Sequence, residues 1–380
     1  MEAQIKLGRV FGVEIGLRYS WLIIALLITL SIARYFHVTN LEWGREVIWA
    51  LAVVTAALFF ASIVAHELSH AVVARSRGLP VRSITLYALG GVTQIEGRAG
   101  DAKTELWMAA TGPITSVVIG LICLALTWAL GGNLTMIPQA PVKAMFWWLG
   151  YINIGLGVFN LVPGFPLDGG RVLRAVVWWA TGDPGRATHI AVRAGQVAAF
   201  GFIALGLFRF FDGAGLTALW FAFIGWFLFD AANSAYARSE INEKLKGLRA
   251  GDVMEPDCPA VDGRAKLQTF VDDHLLRAGH RCYAVVEKDH IVGIITLDEA
   301  RSVDRSNWPY TTVRDAMRPL DLVHTVTPET PVAEAWEAMG REKVGQLPVV
   351  SGGRVEGIIS LDHILQILRS RRIATAGEWQ

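Results

Sequence analysis

The sequence predicts a multi-pass α-helical membrane domain, with six transmembrane helices and a short membrane-associated β-hairpin, followed by a soluble α+β domain. Three observations lead to this prediction. Hydrophobic residues make up 53% of the 380 residues, whereas charged residues make up only 18%. The apolar residues are concentrated in six stretches that all precede Ala237. Beyond that position, one sequence pattern occurs twice, which indicates a duplicated module.

Each of the six apolar stretches is long enough to cross the hydrocarbon core of a membrane as a helix. Segments such as WLIIALLITLSIA (21–33) have no polar face that could meet water. This disfavours the alternative, a large buried helical core in a soluble protein. The stretches cover residues 19–36, 47–70, 106–130, 144–163, 190–208 and 215–235.

Lysine and arginine are unevenly distributed among the loops between these stretches. The N-terminal arm, the 75–105 loop and the 171–193 loop are rich in them, and the other loops carry few. Positively charged short loops stay in the cytoplasm, so both termini are predicted to be cytoplasmic and the protein to lie in the cell (inner or plasma) membrane.

Between the second and third stretches, residues 81–96 alternate weakly between apolar and polar side chains and contain Gly90 and Gly91. This pattern predicts a β-hairpin or a loop that dips into the membrane. An ordinary surface hairpin is the alternative.

The C-terminal region contains two copies of one module. DVMEP (252–256) is repeated as DAMRP (315–319), and AVVEKDHIVGIIT (284–296) as PVVSGGRVEGIIS (348–360). Each copy predicts two short strands joined by a turn and followed by a helix. The pattern resembles a tandem cystathionine-β-synthase (CBS) domain pair, and such pairs sense nucleotides or mediate dimerisation. The predicted domains are a membrane domain, a linker and two CBS modules, at residues 1–236, 237–247, 248–306 and 307–372.

The second apolar stretch ends in the motif HELSH, residues 66–70. This spacing places the imidazoles of His66 and His70 one helical turn apart on the same face, where both can bind one zinc ion. Glu67 lies between them, beside the position of a reacting water. An ionised side chain at the bilayer centre costs about 2–3 kcal/mol, so a function is the default explanation. A polar helix end among lipid headgroups is the alternative.

Catalytic zinc sites usually have three protein ligands, so a third ligand is expected. Asp168 is the best candidate, because it follows two prolines that break the fourth apolar stretch in NLVPGFPLDGGR (160–171). The predicted topology puts it at about the depth of HELSH. His189 stays open as a ligand, and the alternative role of Asp168 is to cap a helix over residues 169–181.

HELSH at the end of one span, together with NLVPGFPLDGG at the end of a later one, resembles the site-2 protease family of intramembrane zinc metalloproteases (peptidase M50-like). The appended CBS pair is similar to the arrangement in one prokaryotic branch of that family. The resemblance implies that His66, His70 and Asp168 bind one zinc ion per chain. It also implies that Glu67 activates water for peptide hydrolysis.

The resemblance assigns further roles around the site. Asn160 is implied to hold substrate or the developing oxyanion. Gly90 and Gly91 are implied to lie in a hairpin whose edge holds an unwound substrate strand by β-addition. A glycine and Pro113 match a family pair in the third span, but Ser116 stands where the family often has asparagine. A helix kink at Pro113 is the favoured interpretation there.

An adenine nucleotide at the CBS pair is a further expectation from the resemblance. CBS modules that bind one commonly have an aspartate three residues after a threonine or serine. Here Thr296 is followed at that spacing by Glu299, and the serine of the second copy by His363. The aspartates fall one residue early, and a dimerisation or purely structural module is the alternative. The candidate nucleotide-binding residues are Thr296, Asp298, Ser360 and Asp362.

The predicted function is zinc-dependent hydrolysis of peptide bonds in or near transmembrane segments of membrane proteins, which is regulated intramembrane proteolysis. The cytoplasmic CBS pair is predicted to regulate the enzyme or to form a homodimer. The predicted partners are transmembrane substrates and the lipid bilayer. With a net charge of +1 and no basic patch with interleaved aromatics, nucleic acid is excluded. The alternative is a CBS-regulated transporter or channel without protease activity.

Overall fold

A computed structural model shows two compact units, Met1–Ser239 and Glu240–Gln380. The residues that it describes are 4–87, 90–95, 99–256, 259–275, 282–287, 290–319, 323–342, 344–352 and 354–376.

The first unit is built mainly from long apolar helices. Among its described residues, six helices are long and apolar enough to cross a membrane, which confirms the six predicted spans. The fifth span continues past its α-helix to Gly213. The helices that begin in this unit are α1 (Tyr19–Thr39), α2 (Arg45–Ser76), α3 (Ala102–Ala129), α4 (Pro141–Asn160), α5 (Asp168–Thr181), α6 (Pro184–Arg209) and α7 (Leu219–Lys244).

Helices α3 and α4 pack with their backbones close together. A Cβ atom added at Gly120 would lie 2.8 Å from the carbonyl oxygen of Gly150. One added at Gly157 would lie 2.9 Å from the carbonyl oxygen of Pro113. Small residues permit such close approach between membrane helices, where van der Waals packing and not water exclusion drives association. This packing fixes the position of α3, which lies beside the predicted site.

A four-stranded sheet contains the predicted hairpin, in the strand order β1-β2-β3-β4. The β2–β3 pairing is parallel and the two outer pairings are antiparallel. The hairpin β3–β4 agrees with the prediction for residues 81–96. The sheet packs on α2 through a small core of Val13, Ala71 and Ile84. Its strands are β1 (Ile5–Val10), β2 (Val13–Leu17), β3 (Val81–Tyr87) and β4 (Gly90–Ile95).

The strands β1 and β2 were not predicted, although the sequence carries a signal for them. VEIGL alternates between apolar and polar or small residues, and IKLGRV does so until Gly8 and Arg9 interrupt the alternation. Phe11 and Gly12 between them have φ values of 50° and 76°, as the two central residues of a tight hairpin turn of type I′ require. The strands are short, and β2 finds its second partner in β3, beyond two membrane helices.

The second unit contains the two predicted copies of an α+β module. Residues 288 and 289, in the predicted turn of the first copy, lie outside the described residues, as does Gly353 in the second. The strands are β5 (Ala260–Asp262), β6 (Cys282–Glu287), β7 (His290–Thr296), β8 (Arg318–Pro319), β9 (Gln346–Ser351) and β10 (Arg354–Ser360). The helices are α8 (Ala250–Val253), α9 (Leu267–Phe270), α10 (Leu297–Ser302), α11 (Val313–Ala316), α12 (Val332–Glu342) and α13 (Leu361–Ala376).

Each module has its own apolar core, and the short helices are exchanged between the two. Ala250 in α8 packs with Val349 and Ile359 of the second copy. Val313 in α11 packs with Tyr283 and Ile295 of the first copy. Each core therefore contains residues from both sides of the predicted 306/307 boundary, which stays a prediction.

Candidate metal centre

Helix α2 carries the HELSH motif near its C-terminal end, and the histidines lie on its buried face. His66 and His70 are each 5% exposed. Their rings meet edge to face with centroids 5.0 Å apart, as expected for residues one helical turn apart. Asp168 is the first residue of α5, and Leu167 is the N-cap. The alternative role of Asp168 as a helix cap is therefore not observed.

Three side-chain atoms from two helices converge. Oδ2 of Asp168 lies 3.1 Å from Nε2 of His66 and 3.3 Å from Nε2 of His70. The two Nε2 atoms are 3.3 Å apart. Tetrahedral zinc holds nitrogen and oxygen ligands at about 2.0–2.1 Å, which separates the ligand atoms by about 3.3–3.4 Å. The three residues therefore fit a zinc ion in both spacing and donor type, and they form a candidate metal cluster.

The hydrogen bonds on the far side of the rings support the same conclusion. Nδ1 of His70 lies 2.5 Å from the carbonyl oxygen of Met108. A carbonyl only accepts, so Nδ1 carries the proton and Nε2 of the neutral ring presents a lone pair. Nδ1 of His66 lies 2.9 Å from Oγ of Ser116. At least two of the three converging atoms, Nε2 of His70 and Oδ2 of Asp168, are thus acceptors, and a cation between them satisfies both.

Gly112 in α3 leaves the space in which the histidine rings meet. A Cβ atom at this position would lie 2.2 Å from Nε2 of His70 and 2.6 Å from Nε2 of His66. The close approach of α3 to the cluster therefore requires glycine here.

Glu67 points toward strand β4. Its Oε2 atom accepts a hydrogen bond of 2.8 Å from Oγ1 of Thr93. A Cβ atom at Gly91 would lie 2.5 Å from Cγ of Glu67. Gly91 therefore lies beside Glu67, and Gly90 is paired with Tyr87 in the β3–β4 register. Sequence reasoning missed Thr93, whose only signal is its place two residues beyond Gly91.

Two other predicted site residues, Asn160 and His189, are not among the three residues of the metal cluster. Asn160 is the last residue of α4 and is half-buried. Its side chain makes no hydrogen bond with any residue that the structure describes. His189, the alternative ligand candidate, packs edge to face on Tyr236 with ring centroids 5.2 Å apart. It is not part of the candidate metal cluster.

At the first candidate nucleotide position, Glu299 binds Thr296 and Arg318. Its Oε2 atom accepts hydrogen bonds from the hydroxyl and, at 3.1 Å, from the backbone N–H of Thr296. Its Oε1 atom lies 3.0 Å from a guanidinium nitrogen of Arg318. The side chain of Asp298 lies outside the described residues.

At the second position, His363 stands in the place of Glu299, and Glu255 from the first copy contacts both His363 and Ser360. Its Oε1 atom lies 3.5 Å from Oγ of Ser360 and 3.2 Å from Nδ1 of His363. Asp362 is in the first turn of α13. Glu255 in DVMEP and Arg318 in DAMRP are equivalent in the repeat, so the contacting side chain is basic at the first position and acidic at the second.

Models of known protein families match both the membrane domain and the C-terminal domain of the chain. The model for peptidase family M50 matches residues 54–136 and 129–202. The CBS domain model matches residues 250–305 and 312–370.

Relatives match over nearly the whole length. The chain is 36% identical over 376 residues to "Putative zinc metalloprotease Rip3" of Mycobacterium tuberculosis, covering 98% of this chain and 95% of that one. It is 32% identical to "Putative zinc metalloprotease sll0528" of Synechocystis, covering 97% of each. Among solved structures, it resembles "Site-2 Protease from Methanocaldococcus jannaschii" at 26% identity and a TM-score of 0.40, covering 61% of this chain and 94% of that one. The chain therefore belongs to peptidase family M50, the site-2 protease family of zinc metalloproteases, and carries a C-terminal pair of CBS domains.

Proposed function

We propose that His66, His70 and Asp168 bind one zinc ion and that Glu67 is the general base of an intramembrane endopeptidase. One observation carries this proposal. Three donor atoms converge with the spacing of a tetrahedral zinc site, 3.1–3.3 Å, at the end of a membrane-length helix. A channel or transporter has no need for this donor set beside a glutamate, and membership of family M50 favours the protease further.

The roles of the side chains follow from their chemistry. A zinc ion bound there would polarise the scissile carbonyl and lower the pKa of water at the site. Glu67 takes the proton from the attacking water and passes it to the leaving amine. Thr93 donates a hydrogen bond to Oε2 of Glu67 and thereby holds the carboxylate in one orientation. His66 and His70 are oriented from behind by Ser116 and Met108.

Substrates of an intramembrane protease are membrane proteins, and a helical segment must unwind before its carbonyls can react. We assign the unwound segment to the outer edge of β4, because β4 is the last strand of the sheet and no described strand pairs with that edge. Gly91 allows this strand to lie close to Glu67, and Gly90, its neighbour in β4, is assigned with it to the substrate-binding hairpin. Asn160, at the end of α4, is assigned to hold substrate or the oxyanion.

We place both termini and the metal centre on the cytoplasmic side of the cell membrane. The clustering of lysine and arginine in the N-terminal arm and in the 75–105 and 171–193 loops supports this orientation. The CBS pair is then a cytoplasmic regulatory or dimerisation module. Adenine-nucleotide binding there stays a prediction, and the contacts of Glu299 and Glu255 do not favour it.

Asp168→Asn tests the proposed metal centre. The variant keeps an oxygen at the site but loses the negative charge, so we expect zinc affinity to fall by about 100-fold, equivalent to about 2.7 kcal/mol. Cleavage of a co-expressed single-span membrane protein should fall with it. Zinc content is measured on the purified protein, and cleavage by gel analysis of the reporter.

The matched control is Asp183→Asn. Asp183 caps α6 by accepting hydrogen bonds from the backbone of Gly185 and Arg186. Its replacement removes the same charge from a helix start without touching the cluster, and zinc and cleavage should stay at wild-type levels. Full zinc content and full cleavage in Asp168→Asn would refute the proposed ligand set.

Thr93→Val tests the orientation of the general base. The variant removes the hydroxyl that holds Oε2 of Glu67 but keeps the shape of the side chain. We expect kcat to fall about tenfold, which corresponds to about 1.4 kcal/mol, with little change in KM or zinc content. Thr93→Ser, which keeps the hydroxyl, should retain activity. Equal losses in both variants would mean that the hydrogen bond is not the cause.

A further inference from the structure

One face of α3 contacts both histidines of the metal cluster and is ion-paired to α5, the helix that carries Asp168. Glu105, Met108, Gly112 and Ser116 follow each other at intervals of three or four residues, so they lie on one side of the helix. All four are buried. The two in the middle supply a carbonyl to His70 and the space for both imidazoles, as described above. The outer two, Glu105 and Ser116, carry polar side chains. Burying such a side chain costs free energy unless it is hydrogen-bonded or ion-paired.

At one end of this face, Ser116 is fully buried and its hydroxyl lies 2.9 Å from Nδ1 of His66. No other hydrogen bond of this side chain occurs among the described residues. A partner on Nδ1 fixes both the tautomer and the rotation of an imidazole whose Nε2 binds metal. Ser116 is therefore placed to aim the lone pair of His66 at the centre of the cluster.

At the other end, the carboxylate of Glu105 is 6% exposed and joins two guanidinium groups of α5. Its Oε1 atom lies 3.1 Å from Nε of Arg171 and 3.2 Å from a terminal nitrogen of Arg174. Arg171 lies about one turn beyond Asp168 on α5, and Arg174 lies about one turn beyond Arg171. The ion pairs therefore hold the first turn of α5, and Asp168 with it, against α3.

We propose that Ser116 and Glu105 are positioning residues that set the zinc affinity of the enzyme, Ser116 through His66 and Glu105 through Asp168. The inference rests on the proposed zinc site. It goes beyond the three ligands in assigning the preorganisation of the site to a helix that supplies none of them.

The first test measures zinc affinity of the full-length protein, stripped of metal, by competition with a chelating dye. Ser116→Ala is expected to lower the affinity about 10- to 100-fold, the usual effect of losing the hydrogen-bond partner of a ligand. The matched control is Thr127→Val. Thr127 is equally buried in α3, but among the described residues its hydroxyl bonds only the carbonyl of Cys123, in its own helix. Zinc affinity in Ser116→Ala equal to that in Thr127→Val would overturn the role of Ser116.

The second test asks whether Glu105 acts through Asp168. Glu105→Gln should lower zinc affinity in the wild-type background and have little further effect when combined with Asp168→Asn. Ser116→Ala should still lower the affinity in that background, because it acts on His66. If Glu105→Gln acted only through a general loss of packing, it would lower zinc affinity by the same factor in the wild-type and in the Asp168→Asn background. An equal factor in the two backgrounds would therefore overturn the role of Glu105.

These measurements separate two kinds of failure. If the wild-type protein binds zinc but cleaves no membrane protein, the proposed function fails, and the affinities of the variants still decide the inference. If the wild-type protein binds no zinc, both fail together. The absorption spectrum of the cobalt(II)-loaded protein provides an independent check, since a displaced ligand changes the ligand field in Ser116→Ala but not in Thr127→Val.

Discussion

Glu67→Gln is expected to lower the rate of peptide cleavage by about 10²–10⁴-fold, the range that general acid–base catalysis contributes. Glutamine has nearly the same shape and its amide oxygen can still accept the hydrogen bond from Thr93, but it cannot take up a proton at neutral pH. The side chain is not among the three converging atoms, so zinc content should stay at the wild-type level. Cleavage of a single-span protein in vesicles and metal analysis of the same preparation measure both quantities.

The control for this variant is Glu46→Gln. Glu46 is exposed in the first turn of the same helix, at the opposite end from the cluster. The same chemical change there should leave cleavage unchanged. If Glu67→Gln keeps more than about a tenth of the wild-type rate with full zinc content, Glu67 is not the general base and another group must move the proton.

Gly112→Ala is expected to abolish zinc binding, and cleavage with it. The added Cβ would come within 2.6 Å of Nε2 in both histidines. Real Cβ atoms do not approach non-bonded atoms this closely. The rings cannot simply withdraw, because Ser116 and the carbonyl of Met108 hold them from the other side. Metal sites tolerate ligand displacements of only about 0.2 Å, so the donor set is lost and not merely weakened.

Gly155→Ala is the control for this second variant. Gly155 lies inside α4, and a Cβ added there meets no atom within 4 Å. Replacing a helical glycine by alanine in open space stabilises a helix by about 1 kcal/mol, so this variant should fold and cleave normally. Zinc content and circular dichroism of both variants separate loss of the site from loss of the fold. Wild-type zinc content in Gly112→Ala would contradict the packing of α3 against the cluster.

The sequence predicts the membrane helices and the convergence of the cluster because both depend on local patterns. His66 and His70 are brought together by helical spacing alone. Asp168 is more distant, but two prolines mark the end of its span, and the order of the spans gives its depth. The structure brings these three residues together as expected, with one local difference, since Asp168 begins α5 and does not cap it.

The residues around the cluster could not be predicted in the same way. Ser116 meets His66 across 50 positions of chain, and Glu105 meets Arg171 across 66. Such contacts depend on how α3 packs against α2 and α5. That packing is set by glycines, and the residues against which they pack cannot be identified from the sequence. Thr93 is similar, because its contact with Glu67 depends on the hairpin lying across α2. No periodic pattern of residues in the sequence predicts these long-range contacts.

The parallel pairing of β2 with β3 has a consequence for membrane insertion. Neighbouring strands of one sheet must lie on the same side of the bilayer, yet α1 and α2 separate these two along the chain. Only an even number of crossings satisfies this condition, and the two helices meet it. The sheet therefore tests whether the number of membrane crossings between β2 and β3 is even. This test uses neither hydropathy nor charge. It also means that β2 cannot find this partner during synthesis until a complete helical hairpin has entered the membrane.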